Sequence, residues 1–81
     1  ISLKMKAYPN PTQGDLTLEI TDLALENFAL QLIDLQGKSI ENKKITSATE
    51  IIRMENLPSA TYFLKVTNNN KEVKSFKIIK N

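Results

Sequence analysis

The stretch Tyr8-Pro9-Asn10-Pro11-Thr12-Gln13-Gly14 lies between two runs in which apolar and polar residues alternate. Each proline fixes its own φ and pushes the residue before it toward extended backbone, so Tyr8 and Asn10 are turned away from helix. Asn10 carries a side chain suited to an Asx-type turn, and Gly14 accepts a positive φ without a Cβ clash. The segment reads as a stiff, preset corner joining two strands.

Working outward, Leu3, Met5 and Ala7 alternate with Lys4 and Lys6 before the corner, a period of two that gives one apolar and one solvated face. After it, Leu16, Leu18 and Ile20 alternate with Thr17, Glu19 and Thr21. The segment from Thr21 to Asn27 is too short for a stable helix and is expected to be a loop, with Leu23 and Leu25 covering one end of the core. Phe28, Leu30 and Leu32 form a third run, which ends in Asp34-Leu35-Gln36-Gly37-Lys38. Asp at the first position and Gly at the fourth predict a type I turn with the glycine in the left-handed region. The returning strand, Ser39 and Ile40, loses its alternation at Asn42-Lys43-Lys44, which suggests an edge strand or a bulge.

Glu50 to Met54 is a fifth run, with Ile52 and Met54 facing one way and Ile51 and Arg53 the other. Tyr62, Leu64 and Val66 then alternate with Thr61, Phe63 and Lys65. Asn68-Asn69-Asn70 supplies a turn, because Asn tolerates positive φ. The last run, Glu72 to Lys80, sets Phe76 and Ile78 against Val73 and Ile79. Seven short strands with turns at this spacing predict an all-β fold, a small immunoglobulin-like antiparallel β-sandwich. Tyr62 stands where a tyrosine corner would, bonding back to upstream backbone, or else it is simply a core aromatic.

Composition bounds the chemistry. Eighty-one residues make a single domain, 1–81, with one core. Eleven cations against nine acids leave a net charge of +2, too balanced to favour a polyanionic partner. With no Cys there is no disulfide, thiolate zinc site or cysteine nucleophile, and with no His the commonest general base and metal ligand is missing. An enzyme would need a carboxylate pair or a Ser-Lys dyad in a cleft that so small a chain cannot enclose. Asp15, Asp22, Asp34 and Glu55 lie in separate loops without ligand periodicity, so neither a metal nor a cofactor is expected. One Arg, and no basic patch interleaved with aromatics, argue against nucleic acid. Lys71, Lys74, Lys77 and Lys80 fall on both faces of a strand and read as solvated edge protection. The chain opens at Ile1 without Met and shows no signal peptide, so it is expected to be a piece of something longer.

Four motifs stand in order. They are Tyr8-Pro9-Asn10-Pro11-Thr12 with Gly14, Asp34 with Gly37-Lys38, Leu57-Pro58 with Tyr62, and Lys77-Ile78-Ile79-Lys80 after Phe76. Together they resemble the C-terminal sorting domain of the type IX (Por) secretion system, over nearly the whole chain. That resemblance implies an immunoglobulin-like sandwich at the C-terminus of a secreted protein of a Gram-negative bacterium. Its N-terminal cargo passes through the periplasm, and an outer-membrane translocon recognises the sorting domain. A sortase-like peptidase often removes the domain, and the cargo is released or held at the cell surface. The domain is then an address label without catalytic residues. The family usually has Gly where this chain has Ala60, so a strained or altered turn is expected before Tyr62.

Two further expectations concern the edges and the alternative class. The last strand, around Phe76 to Lys80, is expected to offer an unpaired edge for strand addition by the translocon, or for an edge-strand homodimer. The competing function is a carbohydrate-binding or adhesion module of a secreted enzyme, for which Tyr8 and Phe63 are the exposed aromatics available.

Overall fold

In a computed structural model, residues 4–21 and 26–81 are described, and they form seven strands in two antiparallel sheets. The strands are β1 (Lys4–Tyr8), β2 (Asp15–Thr21), β3 (Phe28–Ile33), β4 (Ser39–Lys44), β5 (Thr49–Arg53), β6 (Ala60–Asn68) and β7 (Lys71–Lys80). One sheet has the order β1-β2-β5 and the other β4-β3-β6-β7. The expected positions of Leu3, Asp22, Leu23 and Leu25 lie outside the described residues.

The alternation read from the sequence decides which face each strand buries. Leu16, Leu18 and Ile20 of β2 and Ile52 of β5 point into the space between the sheets. Leu30 and Leu32 of β3, Tyr62, Leu64 and Val66 of β6 and Ile78 of β7 meet them from the other side in one cluster. A fully buried Leu or Ile is stabilising by about 1.5–3 kcal/mol relative to leaving it in water. This single layer, shared by both sheets, is what holds the sandwich closed.

Turn chemistry sets the registers. Gly37 sits at φ 84°, and its N–H donates to the Asp34 carbonyl at 3.0 Å. Asp34 Oδ1 accepts the N–H groups of Gln36 and Lys38, each at 2.9 Å, so the acid and the glycine close the hairpin as expected. Asn69 and Asn70 both lie in the left-handed region, at φ 53° and 67°, the requirement of a two-residue type I′ turn between β6 and β7. β4 is an edge strand, and its register against β3 shifts between Leu32 and Ile33. The irregularity thus falls at Ile40, two residues before the charged run where alternation is lost.

The topology also sorts the chain into two ends. Tyr8, Asp15, Arg53, Ile33, Ser39, Ala60 and Lys80 lie at one end of their strands. Lys4, Thr21, Phe28, Lys44, Thr49 and Asn68 lie at the other.

Candidate functional site

The corner and the last strand meet at the first of these ends. Thr12 N–H donates to the Ile79 carbonyl at 2.8 Å, and Asn81 N–H donates to the Thr12 carbonyl at 2.9 Å, forming a parallel bridge beside Lys80. Asn10 adds two bonds from its side chain. Nδ2 donates to the Lys77 carbonyl at 2.7 Å, and Oδ1 accepts the Ile79 N–H at 3.0 Å. One amide side chain therefore satisfies a carbonyl and an N–H on a strand edge, as a neighbouring strand would. The peptide bonds Tyr8–Pro9 and Asn10–Pro11 are both cis.

Three expectations change here. Asn10 does not close a local turn with its side chain; it reaches residues 67 and 69 positions away. Gly14 does not occupy the left-handed region, and a Cβ built there meets nothing within 4 Å. The edge of β7 is not unpaired between Lys77 and Asn81, because the corner already fills it. Strand addition over Phe76 to Lys80 would first have to displace Asn10 and Thr12. Among the described residues, only the Lys71–Ser75 half of that edge stays open.

Thr12 is the residue that sequence reasoning passed over. It is only 1% exposed, its hydroxyl donates to the Asp15 carbonyl at 2.9 Å, and its Oγ1 accepts the Gly14 N–H at 3.2 Å. A threonine set between a proline and the Gln13-Gly14 pair has no periodicity to mark it. Its burial follows from docking the corner, a long-range event.

The C-terminal half of β7 divides its residues between the faces. Ile78 is fully buried, Phe76 packs against the core, and Ile79 and Lys77 face outward. Lys74 Nζ sits 5.6 Å from the centre of the Phe76 ring, a cation–π arrangement. Lys80 corrects the reading of a solvated basic tail. It follows Phe76 and Ile78 on the inward side, is 7% exposed, and its ammonium donates to the Leu57 carbonyl at 3.2 Å and the Asn81 carbonyl at 3.3 Å. The stem is buried while the charged head finds two carbonyls, so the lysine fastens β7 to the loop from the opposite sheet.

That loop holds the third motif. Leu57 N–H donates to the Met54 carbonyl at 3.0 Å, and the Tyr62 hydroxyl donates to the Pro58 carbonyl at 2.7 Å. Tyr62 is 3% exposed, so it is both the tyrosine corner and a core aromatic. Ala60 opens β6 opposite Lys80 without a positive φ, and the strain expected of a glycine replacement does not arise. The Asp34–Lys38 hairpin borders the same end and shares an open groove with Ile40, Leu57, Pro58 and Tyr62.

Tyr8 leans across the outer face of the three-stranded sheet. Its hydroxyl donates to Glu19 Oε2 at 3.1 Å, and this bond, with slight desolvation and the nearby carboxylate charge, pushes the phenol pKa up. Lys6 completes the group, 3.7 Å from the same carboxylate. Phe63 lies on the outer face of the other sheet, opposite Ile33 and Lys77. The two aromatics therefore share no platform of the kind a sugar-binding face requires. Among the described residues there is no cluster of acids that could hold a metal ion.

A family model described as the secretion system C-terminal sorting domain matches residues 6–81. The chain belongs to this family of C-terminal sorting domains. It is also 33% identical over 75 residues to an ulvan lyase of Nonlabens ulvanivorans, an alignment covering 91% of this chain and 14% of that protein. The sorting domain is a C-terminal secretion signal of the type IX system, and as a signal it is not itself the catalyst. All four motifs named from the sequence fall within the matched residues, and the fold carries each of them to one end of the sandwich.

Proposed function

We propose that residues 1–81 are the sorting module of a longer secreted polypeptide, and that the motif-bearing end is what the export machinery reads. The observation that carries this is the pairing of Asn10 and Thr12 with Lys77, Ile79 and Asn81. It joins the first and last motifs into one surface that exists only in the folded domain. Tyr8, Pro9, Asn10, Pro11 and Gly14 supply one border of this surface, and Phe76, Lys77, Ile78, Ile79 and Lys80 the strand it rests on. Asp34, Lys38, Leu57 and Tyr62 supply the groove beside it, and Gly37 holds the turn of the hairpin that borders it. Cargo attached ahead of β1 enters at the far end, near Lys4 and Thr21, which leaves the motif end free for a translocon in the outer membrane of a Gram-negative cell. A sortase-like peptidase acting after periplasmic transit would cut upstream of β1, away from that end, before release or surface attachment of the cargo.

The test is export of a reporter bearing a signal peptide and followed by residues 1–81, in a host with the type IX system. The intact fusion is expected in the medium or on the cell surface. Asn10→Ala combined with Thr12→Val should hold the reporter in the periplasm while its circular dichroism stays that of a β-sandwich. Normal export of that folded variant would overturn the assignment of the motif end.

A further inference from the structure

The four-stranded sheet is incomplete at its motif end. β6 pairs with β7 from Ala60 onward but with β3 only from Phe63, so Ala60, Thr61 and Tyr62 have a strand on one side alone. Thr61 is the residue that feels the gap. Its partner in β7, Ile79, turns its N–H and C=O outward, to Asn10 and Thr12. In an antiparallel pair of this kind both residues turn these groups away from each other, so the Thr61 N–H and C=O point to where β3 has ended. Neither group has a hydrogen-bond partner among the described residues.

The gap opens into the groove beside the Asp34–Lys38 hairpin, about 590 Å³ in volume, where Thr61 lies with Leu35, Ile40, Leu57 and Tyr62. Leu35 is 67% exposed, in a turn that Asp34 and Gly37 close without it. Lys38 borders the same groove, and the turn uses only its main chain, which bonds Asp34. Its ammonium has no partner among the described residues. The Asp34 carboxylate is already committed through Oδ1 to two turn N–H groups.

We propose that this groove takes an extended segment of a partner protein, with apolar and acidic residues alternating, added as a short strand beside Thr61. The proposal rests on the sorting role and names the chemistry that the motif end binds. A strand residue offers a C=O and an N–H to match the Thr61 pair, and an acyl chain offers neither. Tyr62, the aromatic of the groove, is only 3% exposed and gives a sugar ring no platform. Alternation sorts the incoming side chains. The residue opposite Thr61 shares its outward face, and those flanking it take the inward, apolar side of Tyr62. A carboxylate on the segment meets Lys38. This chain's own segments of the kind, such as Leu18-Glu19-Ile20 in β2, are already paired within a sheet, so the occupant comes from another protein.

The probe is the capped peptide acetyl-Leu-Glu-Leu-Glu-Leu-amide, titrated to millimolar concentration into the isotopically labelled chain and followed by amide NMR. Saturable shifts are expected at Thr61 and Lys38, and the same peptide with Lys for Glu should bind about tenfold more weakly. Lys38→Glu and Thr61→Pro should each weaken binding of the acidic peptide about tenfold, the second by deleting an N–H that no strand uses. In the reporter fusion, Lys38→Glu should lower export about tenfold while the variant chain keeps the amide dispersion of the parent. No shift at Thr61, equal binding of the lysine peptide, or concentration-dependent shifts there without peptide would rule the proposal out. Normal export of the Lys38→Glu fusion overturns it alone, whereas an unaltered fusion that stays in the periplasm overturns the sorting role with it.

Discussion

Asn10 and Ile79, 69 residues apart, are joined by a 3.0 Å hydrogen bond in which the Asn10 side-chain oxygen accepts a strand-edge N–H. The same amide donates to Lys77, so a single side chain stands in for a segment of β-strand. Asn10→Ala removes both bonds at a partly exposed edge, and a net loss of about 1–2 kcal/mol is expected, since each neutral bond is worth about 0.5–1.5 kcal/mol. Urea denaturation measures the loss. Hydrogen exchange should localise it, with the Ile79 amide exchanging faster and the Leu64 amide of central β6 little changed.

Tyr62→Phe keeps the buried ring and deletes the hydroxyl that Pro58 accepts. The change should lower stability by about 1–2 kcal/mol. Tyr62→Ala should cost about 3–5 kcal/mol because a cavity is added to the lost bond. A Tyr62→Phe variant as stable as the parent would show that the hydroxyl contributes nothing beyond the ring.

The two glycines should respond in opposite ways. Gly37→Ala places a Cβ at φ 84°, and a destabilisation of about 1–2 kcal/mol is expected even though no atom is close. Gly14→Ala meets open space at an ordinary φ and should be neutral or stabilising by up to about 1 kcal/mol. Thermal unfolding of the pair under one condition checks both signs.

Glu50 links the sheets and supplies a pH dependence. Burial alone would raise its carboxyl pKa, but the N–H groups of Thr46 and Ser47 and the Lys43 ammonium at 3.2 Å outweigh burial and hold it below the usual value. A depressed native pKa means the carboxylate stabilises the fold fully above the unfolded value, about 4.3, and that this stability is lost as pH falls through the native one. Between pH 5 and pH 3 the parent should therefore lose stability more steeply than Glu50→Gln. Chemical denaturation across that range decides it; parallel curves would remove Glu50 from the acid response.

The strands were legible because each buries one face, which writes a period of two into the chain. Leu16-Leu18-Ile20 and Tyr62-Leu64-Val66 show it directly. The hairpin at Asp34 and Gly37 and the turn at Asn69-Asn70 were legible because special backbone angles demand special residues. What the corner touches was not, since no local rule says that the Asn10 amide belongs to a strand nearly seventy residues later. The burial of Lys80 did leave a signal. Its parity with Phe76 and Ile78 puts it on the inward face, but a lysine is ordinarily assigned to water.

The bridge from Thr12 to residues 79–81 has a consequence for how the chain comes off the ribosome. Residues made near the start of this domain have no β7 partner until residues 77–81 have been synthesised. A polypeptide stopped before Lys77 lacks every β7 group that Asn10 and Thr12 bind, so nothing docks the corner against the other sheet. Closure of the corner thus depends on β7 being present, so the native fold of this domain ties its first turn to its seventh strand.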